Sequence, residues 1–211
     1  MMRRDDGAFA SPRIVCNPTP AHFVVSSGQS DALAFHHKLP GYAPTPLVAA
    51  PGVAAKLGVG QVWVKDESNR LGLPAYKILG ASWAAYRALV ERCGPFAPWE
   101  TLSELAAQLL PFSPFTLVAA TDGNHGRAVA CVGKWLGLGA HILVPRDMAH
   151  ARRQAIESEG ARVTVVEGSY DAAVEASARL ADDAHLVISD TAWEGYERIP
   201  AWVIEGFITL P

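Results

Sequence analysis

Between residues 115 and 189 short apolar runs alternate with helix-length segments, and this alternation limits the fold more than any other feature. Residues 115–121 form a near-continuous apolar run with β-branched members, as in a strand covered on both faces. A turn over residues 122–126 leads to an expected helix at 128–136 with Gly137 at its end. The cycle then repeats: a strand at 140–144 and a helix at 149–159 stopped by Gly160, a strand at 162–166 and a helix at 170–181, and a further strand at 185–189. Strands joined by helical crossovers pair in parallel with right-handed connections, so the expected fold class is α/β, a parallel sheet with flanking helices.

The flanks read differently. Seven of the fifteen prolines (Pro12, Pro18, Pro20, Pro40, Pro44, Pro46 and Pro51) crowd into residues 11–51, which predicts extended segments and turns around a short helix near 30–38, wrapped on something larger. Residues 61–65 read as a strand and 66–74 as a polar loop. Leu79, Trp83, Tyr86 and Val90 then recur at helical spacing until Cys93-Gly94-Pro95. After a linker around 95–98, residues 101–110 are amphipathic. Near the end Ile199, Trp202, Val203, Phe207 and Leu210 again share one helical face, which the sequence reaches Pro211 without matching, as an interrupted protein would.

Composition removes several functions. Eighteen Lys and Arg against twenty-one Asp and Glu give a net charge of −3, too balanced for a polyanion-binding surface, so nucleic acid is not an expected partner. Cys16, Cys93 and Cys131 have no metal-like spacing, and their odd number argues against a disulfide framework, which makes a reducing cytoplasm the expected location. The charged start Met1-Met2-Arg3-Arg4-Asp5-Asp6 has no apolar run behind it, and nowhere do eighteen apolar residues follow one another, so neither export nor a membrane span is expected.

In open parallel sheets ligands bind beyond the carboxyl ends of the strands, which singles out three segments. Lys77 stands at the entry of the helix that carries Leu79 and Trp83, where the helix dipole favours the uncharged, Schiff-base-forming amine; taken alone it reads first as a surface lysine with a packed stem. Thr121-Asp122-Gly123-Asn124-His125-Gly126 lies between a buried strand and a helix. Its glycines permit close approach to a ligand and its amides suit an anion, although Asp-Gly and Asn are also ordinary turn residues. A carboxylate at Asp122 would repel a substrate carboxylate unless it faces a cation or takes a proton, which suits a second amino group or a general base. Asp190, after the last strand, is the third candidate, with a helix cap as its plainer role.

Four ordered segments together resemble one family: Leu39-Pro-Gly-Tyr-Ala-Pro-Thr-Pro-Leu47, Val64-Lys-Asp-Glu-Ser-Asn-Arg-Leu-Gly-Leu-Pro-Ala-Tyr-Lys-Ile-Leu-Gly80, Ala120-Thr-Asp-Gly-Asn-His-Gly-Arg127 and Asp190-Thr-Ala-Trp-Glu-Gly-Tyr-Glu-Arg-Ile-Pro200. They look like diaminopropionate ammonia-lyase, a fold type II pyridoxal-phosphate enzyme of the tryptophan synthase β-subunit superfamily. The resemblance implies that Lys77 carries pyridoxal 5'-phosphate and later acts as acid or base, and that Asn124 bonds the cofactor's phenolate oxygen. It implies that Thr121, Gly123 and His125 receive the substrate carboxylate, that Asp122 removes the α-proton of the D-isomer, and that Asp190 binds substrate and transfers protons. The implied reaction is α,β-elimination of ammonia from the amino acid 2,3-diaminopropionate, giving pyruvate and ammonia. A homodimer is the partner arrangement common in that family.

By the same resemblance residues 1–82 are the start of a large cofactor domain, 83–190 a complete small α/β domain, and 191–211 a return into a large domain that stays incomplete. The family's glycine-rich phosphate cup belongs to its later half, and no Gly-x-Gly-x-x-Gly occurs here. Two other readings therefore stand beside the enzyme: a truncated, non-catalytic remnant that binds an amino acid or a partner, and another lyase of the superfamily such as a serine or threonine dehydratase, which Asp122 and Asp190 disfavour.

Overall fold

A computed structural model describes residues 28–210; the readings made for Pro12, Pro18, Pro20 and Cys16 lie outside them. Four strands, β3 (Thr116–Ala120), β4 (Gly139–Pro145), β5 (Arg162–Val166) and β6 (His185–Val187), form one sheet in the order β5-β4-β3-β6. Every pairing in it is parallel, as the alternation requires. A separate antiparallel pair joins β1 (Leu47–Ala49) to β2 (Trp63–Lys65).

Alternation along each central strand divides the interior in two. Leu117, Ala119, Ile142 and Val144 face the larger core, shared with α3 (Lys77–Cys93), α5 (Asn124–Leu136) and α8 (Arg198–Phe207). Val118, Ala120, Leu143 and Val187 face the smaller one, under α7 (Tyr170–Ala178). The remaining helices are α1 (Gly28–His36), α2 (Pro51–Leu57), α4 (Leu102–Leu109) and α6 (His150–Glu157). Helix α4 opens with a capping box in which the Thr101 side chain accepts from the Glu104 amide and the Glu104 carboxylate accepts in return. None of the described helices is long and apolar enough to cross a membrane.

The proline-rich stretch is extended at β1, and Pro51 at its end opens α2, where the missing N–H has no partner to lose. Two expectations need correction. The apolar face of the last helix is matched: Pro200, Trp202, Val203 and Gly206 are buried, and α8 lies along α3. Helix α5 begins at Asn124, four residues before the expected start, so His125 and Gly126 belong to its first turn. Gly126 permits that early start through contact with protein rather than ligand, since a Cβ there would overlap Thr121 Cγ2 and sit 2.7 Å from Ile142 Cγ2.

Candidate active site

Strands β3 and β6 are neighbours, so the segments that come after them emerge side by side. Ile188 continues the pairing through its amide to the Val118 carbonyl (2.7 Å), which carries Asp190 to the mouth of the sheet beside the Thr121–His125 segment. From the other side comes α3, its buried Ile78 and Leu79 anchoring a first turn whose opening residue is Lys77. Lys77 Nζ donates to Asp190 Oδ2 at 2.8 Å. A cavity of about 310 Å³ lies between these elements, and all seven residues singled out in the sequence line it: Lys77, Thr121, Asp122, Gly123, Asn124, His125 and Asp190. Arg152 and Tyr170, which sequence reasoning missed, complete the lining.

The seven stand in different chemical states. Thr121 is buried, and its hydroxyl accepts from the amides of Gly123 (2.9 Å) and Gly126 (3.1 Å), so it fastens the start of α5. The Asn124 and His125 amides of that first turn have no acceptor among the described residues. His125 is 4% exposed and its Nε2 lies 2.7 Å from the Ile188 carbonyl, which can only accept, so that nitrogen carries the proton. Burial pushes the ring below its ordinary pKa against the opposing pull of Asp190. The neutral ring leaves Nδ1 as a buried acceptor without a hydrogen bond, 3.6 Å from Asp190 Oδ2. Any capture of a carboxylate by His125 therefore falls to its backbone amide.

Asp190 is not a helix cap; α8 begins only at Arg198. Burial pushes its carboxyl up, but the bonded Lys77 ammonium, joined by the His125 ring whenever that ring is charged, more than reverses this and holds it below its usual value. The loop behind it is pinned by Tyr196, whose hydroxyl accepts from the Ser189 amide (3.0 Å) and donates to the Val187 carbonyl (2.6 Å). Trp193 stacks on the Tyr196 ring with centroids 4.0 Å apart. Asp122 is exposed, and no hydrogen bond engages its carboxylate among the described residues. Tyr170 Oη lies 3.0 Å from Thr191 Oγ1, and burial pushes its phenol up. Arg152 Nη1 donates to the Asp122 carbonyl at 3.1 Å. One ammonium, two carboxylates and free amides thus share a cavity suited to a zwitterion with an additional amine.

Residues 38–207 match the family of the pyridoxal-phosphate dependent enzyme. Diaminopropionate ammonia-lyase of Salmonella typhimurium is 40% identical over 187 residues, which cover 85% of this chain and 45% of that protein. The crystal structure of Escherichia coli diaminopropionate ammonia lyase in apo form superposes with a TM-score of 0.81 at 37% identity, over 92% of this chain and 53% of the other. The Escherichia coli enzyme in complex with D-serine gives a TM-score of 0.82 at 37% identity, over 92% and 50%. The chain spans about half the length of the curated relatives it matches.

Proposed function

The chain belongs to the pyridoxal-phosphate dependent enzymes, and from that premise we propose that its cavity serves the elimination of ammonia from 2,3-diaminopropionate, to pyruvate and ammonia. The observation that carries this reading is the convergence of Lys77, Asp122 and Asp190, from three separate elements, on one cavity. Relatives named as diaminopropionate ammonia-lyases at about 40% identity support it.

The residues present fit one end of the cofactor. Lys77 offers a primary amine, the group an aldehyde takes, and Asn124 offers a side-chain amide for a ring oxygen at the first position of α5. Lys77 and Asn124 are the residues that would hold pyridoxal phosphate here; none of the 211 residues is assigned to its phosphate. When bound, the cofactor supplies an electron sink beside the substrate's α-carbon.

The chain's own groups divide the remaining work. Asp190 stays ionised beside Lys77, orients that amine and offers its carboxylate to a substrate ammonium. Asp122, with a free carboxylate, accepts the α-proton of the D-isomer. Lys77 moves a proton on and off its amine. The Asn124 and His125 amides and Gly123 receive the substrate carboxylate, with Thr121 holding the turn in shape. In this assignment residues 83–190 form the small α/β domain, with 1–82 and 191–211 belonging to the large one and α3 shared between them.

The test adds pyridoxal phosphate to the purified chain and to Lys77→Ala, then supplies diaminopropionate or serine. A visible absorbance band that depends on Lys77, followed by pyruvate release from diaminopropionate, is expected. Identical spectra for the two proteins, or faster turnover of serine, overturn the reading.

A further inference from the structure

Arg152 enters the cavity from beyond the end of β4, a strand whose succeeding segment the proposed function leaves without a role. It is the third residue of α6. Its stem lies across Gly123, where an added Cβ would meet Arg152 Cδ at 3.5 Å. Through Nη1 it donates to the carbonyl of Asp122. Among the described residues no other hydrogen bond or ion pair engages this guanidinium, so most of its five N–H donors remain available where the side chain lines the cavity.

The charges around the cavity give those donors a purpose. Lys77 balances Asp190, and burial keeps the ring of His125 neutral, which leaves the carboxylate of Asp122 uncompensated. A substrate carboxylate received by the Asn124 and His125 amides would lie within two or three residues of that like charge, an arrangement that disfavours both ions. A guanidinium touching both Asp122 and Gly123 offsets this repulsion, and its planar fork suits a carboxylate better than a point charge does.

We propose that Arg152 is a specificity-determining residue that selects substrates bearing an α-carboxylate, while Asp190 takes an amine and Asp122 stays free to accept the α-proton. The proposal rests on the reading of the cavity as a diaminopropionate site, and it adds the group that makes an anion acceptable beside Asp122.

Calorimetric titration of the full chain with 2,3-diaminopropionate and with its neutral carboxamide tests this directly, without and with pyridoxal phosphate. The unsubstituted chain is expected to prefer the carboxylate by about tenfold or more. Arg152→Gln should bind both compounds alike and Arg152→Lys should recover part of the preference. Arg152 is exposed, so thermal midpoints and the Lys77-dependent absorbance should stay unchanged in both variants. A preference that survives Arg152→Gln overturns the proposal, as does a parent chain that binds neither compound or both equally. A missing Lys77-dependent band with the preference intact would instead sink the elimination reading and leave the assignment of Arg152 standing.

Discussion

Lys77 Nζ and Asp190 Oδ2 stand 2.8 Å apart across 113 residues of sequence, tying the first turn of α3 to the mouth of the sheet. The two side chains are only 29% and 17% exposed, so the pair is screened less than a surface ion pair. Asp190→Asn keeps the shape and removes the charge, and it should cost about 1–2 kcal/mol of stability at neutral pH. The folded carboxyl titrates below its ordinary value of 3.8, which makes its contribution fully present above that value and lost as pH falls through the folded one. Urea unfolding at pH 7 and pH 3 checks this; the gap between parent and variant should begin to narrow in acid, and a constant gap contradicts it.

Asp122 should behave in the opposite way. Its exposed carboxylate holds no hydrogen bond among the described residues, so Asp122→Asn should leave stability within about 0.5 kcal/mol of the parent. As the proposed proton acceptor, the same substitution should lower pyruvate release from diaminopropionate by on the order of 100-fold. Wild-type turnover in this variant would remove Asp122 from that role.

Gly80 and Gly206 let α3 and α8 meet backbone to backbone. A Cβ at Gly206 would fall 2.6 Å from the Leu79 carbonyl oxygen and 2.7 Å from Gly80 Cα, neither of which can rotate away. Gly206→Ala should therefore destabilise by about 2–3 kcal/mol even though alanine is the better helix former. Since Leu79 lies two residues from Lys77 in the first turn of α3, the variant should also weaken the Lys77-dependent cofactor absorbance. Near-parental stability in urea would show that the two helices can separate at little cost.

How much of the molecule is legible in the sequence varies with the physics behind each element. The central strand β3 carries its own signal, since burial on both faces demands a near-continuous apolar run, and Leu117 to Ala120 could hardly lie elsewhere, whereas β5 at the sheet edge is only partly buried. The sequence places the start of α5 four residues late because Asp-Gly-Asn reads as a turn, while the feature that lets the helix begin at Asn124 is the contact of Gly126 with Thr121 and Ile142, invisible without the fold. The motif residues beyond β3 and β6 are legible because ligands gather at the carboxyl ends of parallel strands. The carboxyl ends of β4 and β5 point in the same way to Arg152 in α6 and Tyr170 at the start of α7, so that signal is present in the sequence though neither residue stands in a recognisable motif. The pairing of Lys77 with Asp190 has no local signature, because α3 precedes the sheet whose mouth it serves.

His36 offers the sharpest test of how the start of α3 is held. It is fully buried at the end of α1, with Nε2 2.9 Å from the Leu79 carbonyl and Nδ1 2.9 Å from the hydroxyl of Thr209, just past α8. A carbonyl only accepts, so Nε2 carries the proton, and Nδ1 of the neutral ring shares the single hydrogen of the Thr209 hydroxyl with the Gly206 carbonyl, 2.8 Å from that oxygen. Burial lowers the ring from its ordinary 6.5 to about 4, opposed by the bond to Leu79 and aided by the charge of Arg70. The unfolded chain therefore binds a proton near pH 6.5 that the folded chain refuses until about pH 4, and stability falls throughout that interval as pH is lowered. At 1.36 kcal/mol per unit the loss amounts to about 3 kcal/mol. His36→Gln can still donate to Leu79 but cannot titrate, so its stability should fall about 3 kcal/mol less than the parent's between pH 7 and pH 4. Parallel pH profiles in urea unfolding would show that the ring is already charged in the folded chain and that the three helices are joined some other way.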